Sequence, residues 1–301
     1  MQGVIGPLVT TFDSTGDAVD LSAFVRNIKA HLDAGQCGVL VCGSTGEAAL
    51  LDESERAALV DAARAVVPAN SVLLAGIGAE STKQTVKRAV EAGSRGADGV
   101  LVVSPHYYAS AMNRAALLAH FTAVADRSPV PVLLYNIPKY THFALEPDLV
   151  AQLAEHPNVV GIKDSSGDME LLSGYARVQR GNQRFTLLTG NGPTFATALE
   201  LGARGGILAV ALFTRDMSQR ILAAWTSGEP ARAREIQALI TQAAKEIVGG
   251  LGVPGVKAAM DAAGLEGGMV RSPLLPLDEL QRRHVESLLP RGVEPASQSR
   301  A

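Results

Sequence analysis

Gly99-Val100-Leu101-Val102-Val103-Ser104-Pro105, the helical pattern Arg114 to Asp126, and Val130-Pro131-Val132-Leu133-Leu134-Tyr135-Asn136-Ile137-Pro138 read as one strand–helix–strand unit. Neither apolar run shows polar alternation. Such strands are buried on both faces, as in a parallel sheet covered by helices. Outward from this unit the pattern repeats. Earlier strand-like runs are Val4 to Thr10, Gly38 to Gly43 and Ser71 to Gly78, separated by helical patterns at Leu21 to Ala34, Asp52 to Val66 and Ser81 to Ala92. Later runs are Val159 to Ser165, Phe185 to Asn191 and Gly205 to Val210, with helical patterns at Glu146 to Glu155, Met169 to Val178 and Thr194 to Leu201. Eight units in about 220 residues predict an α/β chain folded as an eightfold (β/α) TIM barrel. An open doubly wound sheet would carry a glycine-rich turn after its first strand. Here that strand runs into Thr10-Thr11-Phe12-Asp13 instead.

Beyond Leu212 the strand pattern stops. Helices are expected over Asp216 to Trp225, Pro230 to Val248, Val256 to Ala263 and Leu277 to Leu289, with Gly249 to Gly255 breaking two of them. The expected organisation is a barrel carrying the active site over 1–222, a C-terminal helical region over 223–290, and a polar, aperiodic and mobile tail over 291–301. The composition is 47% hydrophobic and 19% charged, which excludes a disordered chain. A formal net charge of -3 gives no polyanion-binding surface, so nucleic acid is not an expected partner. No membrane-length apolar run or secretory leader pattern is visible, so a cytoplasmic protein is expected. Cys37 and Cys42 read as buried thiols on opposite faces of one strand.

The six histidines are scattered, and no pair has metal-ligand spacing on a helix. No phosphate-cradling, dinucleotide or nucleophile-elbow motif occurs, so neither a metal nor another cofactor is expected. Barrel chemistry lies where strands end at the C-terminal face. The second run ends in Gly43-Ser44-Thr45-Gly46-Glu47. Ser44 and Glu47 have capping-box spacing. Alternatively, the two hydroxyls and nearby N–H groups form a nest for a carboxylate. The fifth run ends in Tyr135-Asn136-Ile137-Pro138, where the tyrosine either packs or moves a proton. The sixth is Val159-Val160-Gly161-Ile162-Lys163-Asp164-Ser165-Ser166. Lys163 in a buried strand is either ion-paired, with Asp164 or a neighbouring strand, or an amine of lowered pKa ready to attack a ketone. Such an amine forms a Schiff base whose iminium draws electrons from a neighbouring carbanion.

These three pieces resemble the dihydrodipicolinate synthase and N-acetylneuraminate lyase family of class I aldolases, in order and spacing, from about Val4 to Leu289. The resemblance implies an eightfold barrel, a C-terminal helical region and a homotetramer. It implies Lys163 as the Schiff-base lysine and Tyr135 as the proton shuttle. Ser44 and Thr45 would hold a 2-oxo acid's carboxylate, with Gly190 and Ile207 lining the same pocket. A second tyrosine lent across a subunit interface would be Tyr108, of the pair Tyr107-Tyr108. Dihydrodipicolinate synthases usually carry an arginine where this chain has Tyr140, and a glycine where it has His142. Glu80-Ser81-Thr82, Pro105-His106-Tyr107-Tyr108, Val124 to Pro129 and Gly252-Val253-Pro254-Gly255 look more like the 4-hydroxy-2-oxoglutarate aldolase branch. The expected function is therefore a pyruvate-dependent lyase cleaving or forming 4-hydroxy-2-oxoglutarate. The alternative is condensation of pyruvate with aspartate semialdehyde. Remoter alternatives are a non-catalytic barrel that binds a small carboxylate and a phosphate-binding barrel isomerase.

Overall fold

The computed structural model describes residues 2–290; the tail expected over 291–301 lies outside them. Eight parallel strands close into a barrel in chain order: β1 (Gly3–Pro7), β2 (Gly38–Val41), β3 (Val72–Gly76), β4 (Gly99–Val103), β5 (Val132–Asn136), β6 (Val159–Asp164), β7 (Thr186–Thr189) and β8 (Gly205–Ile207). Each expected strand is present but stops earlier at its C-terminal end. The residues beyond, such as Cys42 to Glu47 and Ile137 to Tyr140, turn over the barrel mouth.

Strand alternation separates two apolar environments. Ile5, Leu40, Leu74, Leu101, Leu133 and Leu188 form a cluster inside the barrel. Val4, Val39, Leu73, Val100, Val132 and Leu187 belong to the cluster packed under the helices. Both faces of every strand are therefore dry, which explains the missing polar alternation. Cys42 is buried in the outer cluster, whereas Cys37 packs against the inner one and is half-exposed, because it precedes β2 at the open bottom of the barrel.

The helical layer comprises α1 (Leu21–Asp33), α2 (Glu53–Arg64), α3 (Thr82–Ser94), α4 (Arg114–Arg127), the single turn α5 (Pro138–Thr141), α6 (Pro147–Leu153), α7 (Met169–Gly181) and α8 (Phe195–Leu201). Short polar residues start several of them. Asp52 caps α2 in a full capping box with Glu55, and Asn113 and Asp168 cap α4 and α7. Helix α9 (Met217–Thr226) follows β8 and packs on β1, so the expected boundary at 222 falls inside it. Helices α10 (Pro230–Ala243), α11 (Gly252–Ala262) and α12 (Glu279–Leu288) make up the rest of the C-terminal region.

The expected break at Gly249 to Gly255 is not a loop. Residues Ala244–Leu251 wind as a π-helix, and the one departure is Gly252, at φ +65°, with which α11 begins. Pro254 fits because it lies in the first turn of α11, where backbone N–H groups have no helical partner. No described helix is long and apolar enough to cross a membrane.

Between β5 and β6 the register shifts after Val132↔Val159, and thereafter Leu133 faces Gly161 and Tyr135 faces Lys163. Strand contact at Gly161 is close. A Cβ there would meet the Thr186 carbonyl oxygen on β7. Gly161→Ala is therefore expected to cost about 1–3 kcal/mol through overpacking. Urea unfolding would register this as a lower midpoint; an unchanged midpoint would contradict the tight strand contact.

Candidate active site

Lys163 is on β6, and its side chain enters the barrel top from a strand whose other neighbours are apolar. It is 5% exposed, and burial pushes its amine down to about 7 from the ordinary 10.5. Its Nζ lies 4.5 Å from the centroid of the Tyr135 ring, its neighbour across the β5–β6 ladder. Among the described residues, no carboxylate is within ion-pair distance of Nζ. Asp164, adjacent in sequence, points the other way. It accepts hydrogen bonds from Asn136 Nδ2 at 2.7 Å and Ser166 Oγ at 2.9 Å. The ion-paired reading of Lys163 is thereby excluded. Desolvation without a countercharge favours the neutral amine, the form that attacks carbonyl carbon.

The Tyr135 phenol is buried, which raises its pKa; the hydroxyls of Ser165 and Ser44 act in the opposite direction. A weakly acidic phenol between an amine and two hydroxyls can pass protons without losing one to solvent.

Ser44, Thr45, Tyr135, Tyr140, Lys163, Gly190 and Ile207 line a single cavity of about 420 Å³. The structure therefore brings together seven of the nine candidate residues. Tyr108 and His142 are not among the lining residues. Tyr108 is 68% exposed beyond the end of β4, in edge contact with Tyr107 at 5.0 Å between ring centroids. His142 is exposed at φ +63°, where the chain reverses after α5 and turns its side chain outward.

The Ser44–Glu47 capping box does not form. Ser44–Gly46 is one turn of 3₁₀ helix, and Glu47 follows in left-handed backbone, so its carboxylate turns to Lys257 and Arg271 and does not return to the Ser44 backbone N–H. Ser165, Ser166, Asn191, Lys245, Val253 and Val256 also line the cavity, and the sequence alone gives none of them a role in the site. Ser165 directly follows β6 and Asn191 lies two residues beyond β7, a signal that barrel geometry makes usable. Lys245, Val253 and Val256 come from the C-terminal region, whose approach to the mouth leaves no local mark in the sequence.

The chain matches the model of the Dihydrodipicolinate synthetase family over residues 1–291. It belongs to that family. Like other dihydrodipicolinate synthetase family members, it is a lyase of the Schiff-base aldolase type. It is 33% identical to a 4-hydroxy-tetrahydrodipicolinate synthase of Methanoculleus marisnigri, over 96% of this chain and 98% of the relative. It is 35% identical to an uncharacterised DapA-like lyase of Halobacterium salinarum, over 95% and 92% of the two chains. Among solved structures it resembles YagE, a prophage protein of the dihydrodipicolinic acid synthase family from E. coli K12 in complex with pyruvate. That match has a TM-score of 0.90 and 30% identity, covering 96% of this chain and 97% of the other.

Gly190 leaves the lysine its room. A Cβ at this position would lie 2.6 Å from Lys163 Cε and would also collide with Ser165 Oγ. Gly190→Ala is expected to displace the amine and lower kcat/KM by about 10², the usual cost of a misplaced reacting group. Near-UV circular dichroism should stay unchanged. Activity within threefold of the parent would show that the amine has space to spare.

Proposed function

We propose that this lyase is a pyruvate-dependent class I aldolase that cleaves 4-hydroxy-2-oxoglutarate to pyruvate and glyoxylate, and forms it in reverse. The observation that carries the reading is Lys163: a buried amine without a carboxylate partner among the described residues, in a cavity also lined by the hydroxyls of Ser44, Thr45, Tyr135 and Ser165. In this reading Ser44 and Thr45 hold the carboxylate next to the ketone. The neutral Lys163 amine adds to the ketone carbon, and Tyr135 delivers the proton with which the oxygen leaves as water. The resulting iminium is the electron sink. Removing the proton of the 4-hydroxyl breaks the bond between the third and fourth carbons. The bonding pair enters the iminium to give an enamine, and glyoxylate departs. Protonation of the enamine carbon and hydrolysis return pyruvate and free Lys163.

The choice of aldehyde rests on Tyr140 and the cavity mouth. Among the described residues, no arginine or carboxylate lines the cavity, and Lys139 and Lys245 are its cationic side chains besides Lys163. Lys139 already donates to the Gly249 carbonyl at 2.9 Å. Burial raises the pKa of the Tyr140 phenol, which keeps it a neutral donor. The distal carboxylate of 4-hydroxy-2-oxoglutarate would meet this rim without the bidentate arginine contact that aspartate semialdehyde usually receives. The exposed Tyr108 is assigned to the active site of a neighbouring copy in a homotetramer. A second reading, condensation of pyruvate with aspartate semialdehyde, is favoured by the names of several relatives sharing 31–34% identity.

The two readings separate on kcat/KM for glyoxylate and aspartate semialdehyde, each with pyruvate in the same buffer. Glyoxylate is expected to win. Tyr140→Arg should improve the semialdehyde reaction roughly tenfold to a hundredfold, the worth of a charged hydrogen bond. A tenfold advantage for the semialdehyde in the parent protein would establish the second reading. Tyr135→Phe is expected to slow both reactions by about 10²–10⁴ with the fold intact, as for a positioned acid–base group. An unchanged kcat would make this tyrosine a packing residue.

A further inference from the structure

Glu47 and Lys257 take no part in the chemistry just described, yet they form the most deeply buried ion pair among the described residues. Their side chains are 0% and 2% exposed, and Lys257 Nζ lies 2.6 Å from Glu47 Oε1. Lys257 also donates to the Met269 carbonyl at 2.5 Å and stands 4.7 Å from the Phe12 ring centroid. The other carboxylate oxygen of Glu47 accepts the Arg271 backbone N–H at 2.8 Å. Arg271 in turn grips Glu55 with two bonds of 2.7 Å and lies 4.2 Å from the same Phe12 ring. Both carboxylate oxygens of Glu47 are thus engaged from the C-terminal region.

The position of Glu47 matters because of what precedes it. Cys42 at φ +53° and Glu47 at φ +55° bracket the loop Gly43 to Gly46, which presents Ser44 and Thr45 to the cavity. Non-glycine residues occupy left-handed backbone only where their surroundings over-determine it. At the far end of this loop those surroundings are Lys257 and Arg271. At the same end, Thr10 Oγ1 donates to the Gly46 carbonyl at 2.6 Å. Helix α11 contributes Val253 and Val256 to the cavity wall and Lys257 to the loop anchor, so one helix both lines the site and fixes its rim. A buried ion pair is weak as a source of stability against an apolar substitute, and its best-attested use is to specify a geometry.

We propose that Glu47 and Lys257 are positioning residues that clamp the Ser44–Thr45 loop in its carboxylate-binding shape. The pair acts on recognition of the 2-oxo acid's carboxylate and not on the amine. This rests on the reading that Ser44 and Thr45 bind that carboxylate.

The test compares the parent enzyme with Glu47→Gln/Lys257→Met, which removes both charges together and leaves none stranded. Glu47→Asp alone, which keeps the charge but shortens its reach by one methylene, serves as the milder variant. Two readouts are taken: steady-state kinetics with pyruvate, and borohydride trapping at Lys163 with acetone, a ketone without a carboxylate. The double variant is expected to raise the pyruvate KM by about tenfold or more, as when a charged hydrogen bond is lost, with kcat at saturation within about threefold. Trapping with acetone should proceed at the parent rate. The milder variant should shift KM in the same direction by less. An unchanged KM, an equal fall in both readouts, or failure of both variants to fold would each overturn the positioning role and leave the pair a structural staple. If the parent enzyme traps no pyruvate at all, the Schiff-base reading falls instead, so the two failures are distinguishable.

Discussion

An ammonium group is poorly tolerated where its neighbours are aliphatic and no carboxylate answers it. Lys163 is placed under that constraint, and much of the barrel enforces it. Leu188 is its register neighbour on β7, Tyr135 faces it from β5, and Gly190 supplies the space it occupies. The nearest acid, Asp164, is committed to Asn136 and Ser166 on the far side of the strand. One residue's difference in register would exchange these two environments, because successive side chains leave a strand on opposite faces. The shifted pairing between β5 and β6 is what delivers the amine rather than the acid to the barrel interior.

The remainder of the site is built around this amine by elements far apart in the chain. Strand ends contribute hydroxyls from Ser44, Thr45 and Ser165, while the π-helical segment and α11 bring apolar walls and Lys245. Winding as a π-helix is common next to functional sites because it re-aims side chains without ending the helix. The C-terminal region is therefore part of the site. It lines the cavity through Val253 and Val256 and holds the Ser44–Thr45 loop through Lys257 and Arg271.

All eight strands and the alternation of helices could be read from the sequence, because strands dry on both faces leave unbroken apolar runs. Lys163 stood out for the same reason: a single long polar side chain in such a run. What depends on distant contacts was not legible. The spacing of Ser44 and Glu47 suggested a local cap, whereas the carboxylate answers a lysine more than two hundred residues away in the chain. Likewise Gly249 to Gly255 carries the residues of a turn but continues a helix, since packing against the barrel outweighs local propensity. His142, read as a specificity residue beside Tyr140, faces outward because the chain passes through left-handed backbone there.

The central claim is that desolvation makes Lys163 the nucleophile. Borohydride trapping with pyruvate across a pH series, followed by peptide mapping, tests it most directly. A single adduct on Lys163 is expected, with a trapping rate that rises as pH passes through about 7 and the amine loses its proton, then levels off. An adduct on another lysine, or a rate still climbing toward the ordinary lysine range near 10.5, would contradict it.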